Sequence, residues 1–215
     1  MAEALRITVL GGSGYAGSST VREAASRGHR VVAVQRHAPA ERVEGAEYLE
    51  ADATDDGVLD AVVDADVVVA ALAPRGDLAG ALFPLYAHLA KRAAAEGTRL
   101  IVIGGWSGLR PAEGAPRFSE GDVDPRFADE AREMVRVLEW LPTADPELQW
   151  LFVSPAAVYG AYAPGDATGR YRIGGEVALT NEDGSPTAIS GADFARAVVD
   201  LAEGDRTREH VGVAS

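Results

Sequence analysis

The chain of 215 residues carries a formal net charge of −13 at pH 7 and contains no cysteine, which excludes disulfides, thiolate nucleophiles and cysteine-ligated metal sites. This length suits one domain over residues 1–215, and the acidic balance disfavours nucleic acid as a partner, because phosphate-backbone binding needs clustered lysine and arginine. The start of the chain lacks a signal-peptide pattern and no apolar run approaches the roughly 20 residues of a membrane span, so we expect a cytoplasmic protein with no membrane partner.

The first predicted element is a strand over residues 5–10, and a glycine cluster follows it directly. The cluster fits two phosphate-loop spacings, GxxGxxG and GxGxxG, and opens an amphipathic helix over residues 16–27. Glycines let a strand turn sharply into a helix whose free amides face a pyrophosphate. A glycine-rich turn in an unrelated α/β protein is the alternative. We predict that a dinucleotide is bound by the whole loop: Gly11, Gly12, Ser13, Gly14, Tyr15, Ala16 and Gly17.

The second predicted strand, over residues 30–35, indicates which dinucleotide is bound. Sites for NAD usually carry an acidic residue at the end of this strand, which binds the ribose hydroxyls. This chain has Gln35 and Arg36 there instead. A guanidinium forms charge-assisted hydrogen bonds with a 2′-phosphate, so the sequence favours NADP as the cofactor, with NAD less favoured. Arg36 could instead be a solvated loop arginine, or it could stack on the adenine whether or not the phosphate is present.

Strands and helices alternate along the next part of the chain. Strands are predicted over 46–50, 66–71, 99–103 and 149–153, and helices over 54–63, 78–96 and 127–141. Thr54 is the predicted cap of the first of these helices, Asp55 and Asp56 are first-turn charges, and Pro84 marks either a kink or a late start in the second. This alternation is typical of an α/β fold, a Rossmann-like doubly wound parallel sheet.

The tail has a different pattern and predicts a small C-terminal cap. Residues 171–180 and 187–189 flank a turn and form a hairpin or a pair of short strands. Ser190 and Asp193 resemble a capping box for a last helix over 192–203. We expect residues 154–190 to contribute a modest cap over a small-molecule substrate, and a chain that is a monomer or a weak homodimer.

Several motifs together resemble the atypical short-chain dehydrogenases. They are the glycine loop, Gln35-Arg36, Ala51-Asp-Ala53, Ile103-Gly-Gly105, Val153-Ser-Pro-Ala-Ala157 and Thr168-Gly-Arg-Tyr-Arg-Ile-Gly-Gly175. Within that group the chain is most similar to small NAD(P)H-binding proteins often labelled NADH-flavin reductases, which are relatives of biliverdin reductase B and of NmrA-like proteins. The resemblance covers essentially the whole chain.

The resemblance also implies roles for residues at the strand ends. Asp52 would hydrogen-bond the adenine amino group with Ala53 beside it, although Asp52 could instead cap the turn before Thr54. Ala71 and Leu72 would line the adenosine half of the cofactor. The pair Pro155 and Ala156 would lie near the nicotinamide.

One departure from the short-chain dehydrogenases concerns catalysis. Those enzymes use a Tyr-xxx-Lys pair, but the single lysine, Lys91, has its nearest upstream tyrosine five residues away, so the proton relay is missing. The resemblance suggests two other candidate catalytic residues, which would polarise an acceptor or donate a proton. Ser107 lies where related enzymes place a serine near the nicotinamide, and Tyr159 lies in a Val-Tyr-Gly turn similar to that of the extended short-chain enzymes. A capping serine and a packing tyrosine are the alternatives. No histidine has partners at ligand spacing, so we predict no metal site.

These features favour an NADPH-dependent oxidoreductase that transfers hydride to a flavin, a quinone or a similar conjugated molecule. Such acceptors delocalise the incoming charge and need little beyond orientation. One alternative is a non-catalytic, NAD(P)-sensing regulatory protein of the NmrA-like kind. Another is a tailoring ketoreductase, epimerase or dehydratase with an unusual acid.

Overall fold

A single eight-stranded sheet forms the centre of the computed structural model, which describes residues 3–55 and 57–215. The strands are β1 (Arg6–Leu10), β2 (Arg30–Gln35), β3 (Ala46–Glu50), β4 (Val67–Ala70), β5 (Arg99–Ile103), β6 (Trp150–Pro155), β7 (Arg172–Gly174) and β8 (Glu209–Ala214). Their order is 3-2-1-4-5-6-8-7, and every neighbouring pair is parallel except β7 with β8. The first six strands follow the Rossmann order, so the predicted fold class is confirmed.

Five α-helices cover the two faces of this sheet within the described ranges. They are α1 (Tyr15–Ser26), α2 (Val58–Val62), α3 (Leu82–Glu96), α4 (Ala128–Trp140) and α5 (Gly191–Glu203). One core cluster contains Val21 of α1 and Phe194 of α5, and the other contains Leu89 of α3 and Val137 of α4. Strands β4, β5 and β6 are buried along their whole length, as expected for parallel strands with helices on both faces. No helix in the described ranges is long and apolar enough to cross a bilayer.

The predicted ends of the long helices are mostly confirmed. Ser190 is the N-cap of α5, where its Oγ accepts the N–H of Asp193 at 3.0 Å. Pro84 lies in the first turn of α3, which therefore starts late rather than kinking. The carboxylate of Glu133 on α4 accepts the N–H groups of Leu82 and Phe83 at 2.8 and 3.0 Å, so it satisfies the donors that a capping side chain would otherwise take.

The prediction for α2 is wrong at its start. Gly57 is the N-cap, with a φ of 82°, so the helix begins at Val58 and not after Thr54. Thr54 is instead a donor: its N–H and hydroxyl bind the carboxylate of Asp52 at 2.9 and 2.7 Å. Asp55 precedes the helix, and the predicted first-turn charge Asp56 lies outside the described residues.

The strands of the tail pair differently from the predicted hairpin. Strand β7 pairs with β8, a strand that the sequence analysis missed, and β8 inserts between β6 and β7. In the described tail, the predicted hairpin is reduced to one isolated bridge between Thr180 and Pro186. Ala188 bridges Val158 instead. The error arose because β8 is a short segment containing glycine and alanine, whose strand conformation depends on a neighbour that is distant in sequence.

Candidate active site

The candidate site lies at the carboxyl edge of the parallel strands. The loops that follow the parallel strands β1 to β6 lie at this edge, and the strand order reverses between β1 and β4. In open parallel sheets ligands bind beside this reversal. Every residue that the sequence analysis nominated follows or ends one of the parallel strands at this edge. Their individual roles stay predictions.

Three glycines of the loop lie where there is no room for a side chain. Gly11 has a φ of 91°, and a methyl group there would lie 2.8 Å from the carbonyl oxygen of Ala71. A methyl group at Gly12 would lie 2.8 Å from the Cβ of Ala33, and one at Gly17 would overlap the carbonyl oxygen of Gly11. The backbone of α1 therefore packs directly on the end of β1, as a phosphate loop requires.

The first turn of α1 presents free donors at this loop. Gly14 is the N-cap and provides no capping side chain, while the N–H of Ser18 closes the turn on the Gly14 carbonyl at 2.8 Å. The N–H groups of Tyr15, Ala16 and Gly17 have no acceptor in the described parts of the chain. Unpaired amides at the positive end of a helix dipole suit an anion, so the loop fits a pyrophosphate.

Gln35 and Arg36 bring polar groups to the end of β2. Gln35 is buried, and its Nε2 donates to the carbonyl of His37 at 2.6 Å. Its Oε1 is shielded from solvent, lies next to Gly12 and has no donor in the described ranges. The side chain of Arg36 is 60% exposed, and its Nη1 lies 3.3 Å from Oδ2 of Asp77.

The predicted adenosine side is formed by the ends of β3 and β4. The N–H and hydroxyl of Thr54, together with the charge of Arg36, hold the pKa of Asp52 below its usual range. The turn role of Asp52 is thus present, and its contact with adenine stays a prediction. Leu72 is fixed by the buried phenol of Tyr86, which accepts the Leu72 N–H at 3.0 Å and donates to the Leu72 carbonyl at 3.1 Å. Ala53 is buried in the core between the sheet and α3.

The loop after β5, which carries Ser107, is fixed on both sides by buried polar groups. Ser154 at the end of β6 donates its hydroxyl to the carbonyl of Gly105 at 2.9 Å. Arg117 donates to the carbonyl of Gly108 at 2.6 Å. Ser107 lies between these two carbonyls, half-buried, and its hydroxyl has no hydrogen-bond partner among residues 3–55 and 57–215. Its hydroxyl is therefore available to a ligand.

His210 supports this loop from β8, and the sequence analysis did not find it. Its Nε2 lies 2.9 Å from Oγ of Ser154, which donates to Gly105, so the imidazole is the donor in this pair. Burial, with a contribution from the positive charge of Arg117, lowers the pKa of His210 to about 4. Serine and histidine are far apart in sequence, so no local pattern links them.

Tyr159, which follows β6, packs against two other aromatic rings. Its ring lies 5.2 Å from the ring of Tyr15 and 4.7 Å from that of Phe194, measured between centroids. Its hydroxyl is shielded from solvent and unpartnered in the described ranges, and burial raises its pKa well above the usual value. The phenol is neutral and packs beneath the tail, which is the alternative that the sequence left open. Its catalytic role stays a prediction.

Comparisons with known proteins identify the relatives of this chain. The family model described as NAD(P)H-binding matches residues 11–205. An uncharacterised protein of Bacillus subtilis, YwnB, is 30% identical over 223 residues, covering 93% of this chain and 92% of that protein. A Streptococcus pneumoniae structure, a candidate NADH-flavin reductase, has 29% identity and a TM-score of 0.82, covering 99% of this chain and 100% of its own. A candidate epimerase from Bacteroides thetaiotaomicron has 27% identity and a TM-score of 0.83, covering 99% and 97%.

Substitution of Gly17 tests whether the close packing of the glycine loop, the cradle formed by residues 11–17, is needed for dinucleotide binding. Gly17→Ala is expected to weaken binding of a nicotinamide dinucleotide by roughly tenfold or more, because the methyl group displaces α1 from the loop and misaligns its amides. Fluorescence titration measures the Kd. Gly175→Ala is the control, since a methyl group there meets no atom within 4 Å. Wild-type affinity in Gly17→Ala would contradict this description of the loop.

The buried imidazole of His210 makes stability depend on pH. Its folded pKa of about 4 lies below the ordinary value of 6.5, so the unfolded state takes up the proton first and the folded state loses stability as pH falls between these values. His210→Gln is expected to remove on the order of 2 kcal/mol of that loss, seen in urea unfolding at pH 7 and at about pH 4.5. The control is His88→Gln, at an exposed position on α3. Parallel pH profiles for wild type and His210→Gln would refute the assignment.

Proposed function

This chain belongs to the NAD(P)H-binding family, and on that premise we propose that it is an NADPH-dependent oxidoreductase that transfers hydride to a flavin, a quinone or a similar conjugated small molecule. The observation that carries the proposal is the glycine cradle, whose three free amides lie at the carboxyl edge of the sheet. The name of the Streptococcus pneumoniae relative supports the acceptor class.

Binding of the cofactor is divided among the strand ends. The N–H groups of Tyr15, Ala16 and Gly17 would donate to the pyrophosphate, with Gly11, Gly12, Ser13 and Gly14 forming the rest of the cradle. Arg36 would pair with a 2′-phosphate. Asp52, Ala53, Ala71 and Leu72 would enclose the adenosine half. Pro155 and Ala156, where β6 ends, would lie against the nicotinamide.

When bound, NADPH supplies a hydride, and the chain's own residues orient the acceptor and manage a proton. Ser107 is the residue we assign to this task, because its hydroxyl is free and its loop is held at Gly105 and Gly108. The hydroxyl would polarise an acceptor oxygen or position a water that donates the proton. The single lysine, Lys91, is an exposed residue of α3, so a tyrosine activated by lysine plays no part in the proposal. Conjugated acceptors suit such a site because they delocalise the added charge.

The buried position of Tyr159 favours a second candidate function, a non-catalytic NAD(P) sensor of the NmrA-like kind. A neutral phenol shielded from solvent is a poor proton donor for a substrate, although its free hydroxyl is compatible with binding. A tailoring ketoreductase, epimerase or dehydratase is the third candidate, and the relative from Bacteroides thetaiotaomicron is named as a candidate epimerase.

The proposal extends to the organisation of the protein. We expect residues 1–215 to act as one domain, a monomer or weak homodimer in the cytoplasm. Residues 154–190 follow the nicotinamide side of the site, so they would form the cap over a small-molecule substrate.

Oxidation of NADPH and of NADH, each with FMN, FAD, a quinone and an aldehyde, tests the function. We expect turnover with a flavin or quinone, little with the aldehyde, and a preference for NADPH that Arg36→Ala abolishes, because the variant cannot pair with the 2′-phosphate. NADPH binding without turnover on any acceptor would transfer support to the sensor. Absence of dinucleotide binding would refute both.

Substitution of Ser107 separates catalysis from binding. Ser107→Ala is expected to lower kcat by about tenfold or more, while the Kd for NADPH stays within about twofold, because the hydroxyl acts on the acceptor rather than on the cofactor. Ser26→Ala at the exposed end of α1 is the matched control. An unchanged kcat in Ser107→Ala would exclude the serine from the reaction.

A further inference from the structure

Arg36, the residue expected to recognise a 2′-phosphate, already has an acidic partner. Its Nη1 lies 3.3 Å from Oδ2 of Asp77, a residue in the short turn Gly76–Leu78 that follows β4. Asp52 is a second acidic neighbour, close enough for the charge of Arg36 to lower its pKa, but its carboxylate is bound to Thr54. Asp77 has no such second partner among the described residues, and it is 91% exposed.

The turn that carries Asp77 is fixed on both sides by carboxylates of α4. The guanidinium of Arg75 pairs with Glu130 through two hydrogen bonds of 2.6 and 2.9 Å. The N–H of Gly80 donates to Glu133 at 2.7 Å. Because Asp77 lies between these two anchors, the backbone holds its carboxylate beside the guanidinium of Arg36.

We propose that Asp77 is a specificity-determining residue that limits the preference of this site for NADPH over NADH, an inference that rests on the proposed function. Sites for NAD carry a carboxylate near the end of β2 that binds ribose hydroxyls and repels a 2′-phosphate. In this chain Arg36 follows β2, and the loop after β4 brings a carboxylate to within 3.3 Å of its guanidinium. Arg36 and Asp77 therefore act in opposite directions on the two cofactors.

Arg36 and Asp77 have opposite effects because NADPH and NADH make different contacts at Arg36. A 2′-phosphate must displace the Asp77 carboxylate from the guanidinium of Arg36, and it then lies close to a carboxylate that is negatively charged like itself. An unphosphorylated ribose does neither, and its hydroxyls are able to donate to the carboxylate. Both charges are exposed, so water weakens their interaction, and we expect Asp77 to change the ratio of the two dissociation constants by about three- to tenfold.

The experiment measures Kd for the adenosine end alone and for the complete cofactors. Isothermal titration calorimetry of wild type and Asp77→Asn uses NADPH, NADH, 2′,5′-ADP and 5′-AMP at low salt. The two ligands with a 2′-phosphate, NADPH and 2′,5′-ADP, are titrated again at high salt. In Asp77→Asn we expect NADPH and 2′,5′-ADP to bind about three- to tenfold more tightly, with NADH and 5′-AMP unchanged or weaker. The gain should shrink at high salt, because salt screens exposed charges.

Asp64→Asn is the matched control. It also removes one exposed carboxylate and one ion pair, the 2.8 Å contact with Arg6, but at the amino edge of the sheet. Its dissociation constants should equal those of wild type. A similar gain in both variants would assign the effect to net charge and overturn the proposal.

The remaining outcomes separate this inference from the proposed function. Unchanged or weaker NADPH binding in Asp77→Asn would overturn the inference alone, provided that wild type binds NADPH and Arg36→Ala loses that affinity. Wild type that binds neither dinucleotide would refute the proposed function and this inference with it.

Discussion

The site depends on the close approach of α1 to the end of β1. Helix and strand meet without an intervening side chain at Gly17, where a methyl group would overlap the carbonyl oxygen of Gly11, and Gly11 and Gly12 are packed closely against Ala71 and Ala33. This contact points the first amides of α1 at the carboxyl edge. It also places Gly11 against Ala71, which joins the loop after β1 to the loop after β4 at the reversal of strand order. A dinucleotide site is the arrangement that this constraint produces.

Buried polar pairs fix the loops that surround this cradle. Tyr86 holds both backbone groups of Leu72, and Ser154, supported by His210, holds the carbonyl of Gly105. Such pairs are costly to break, because each buried group would lose its partner without gaining water. They therefore give the loops of the site a defined position although the loops themselves lack regular structure.

The candidate site contains negative charges beside the positive groups that would bind phosphate. The protein carries a net charge of −13, yet the candidate phosphate sites rely on backbone amides and on Arg36, and carboxylates of Asp52 and Asp77 lie near that arginine. Amide donors and a helix dipole do not discriminate between dinucleotides. In the proposed function, discrimination therefore rests on a few exposed charges, and one of these, Asp77, lies in a turn that is anchored on α4.

The fold class could be predicted from the sequence, because it follows from local patterns: apolar runs of strand length, glycine spacing, and the Ser190 cap. The same patterns predicted where a dinucleotide would bind, and those site roles stay predictions. Strands β2, β3 and β5 have the predicted bounds. Features that depend on partners distant in sequence emerged only from the folded structure. It paired β8 with β6, delayed α2 to Val58 and joined Ser154 to His210. It also brought Asp77 to Arg36, because residues distant in sequence interact only once the sheet has set their strands side by side.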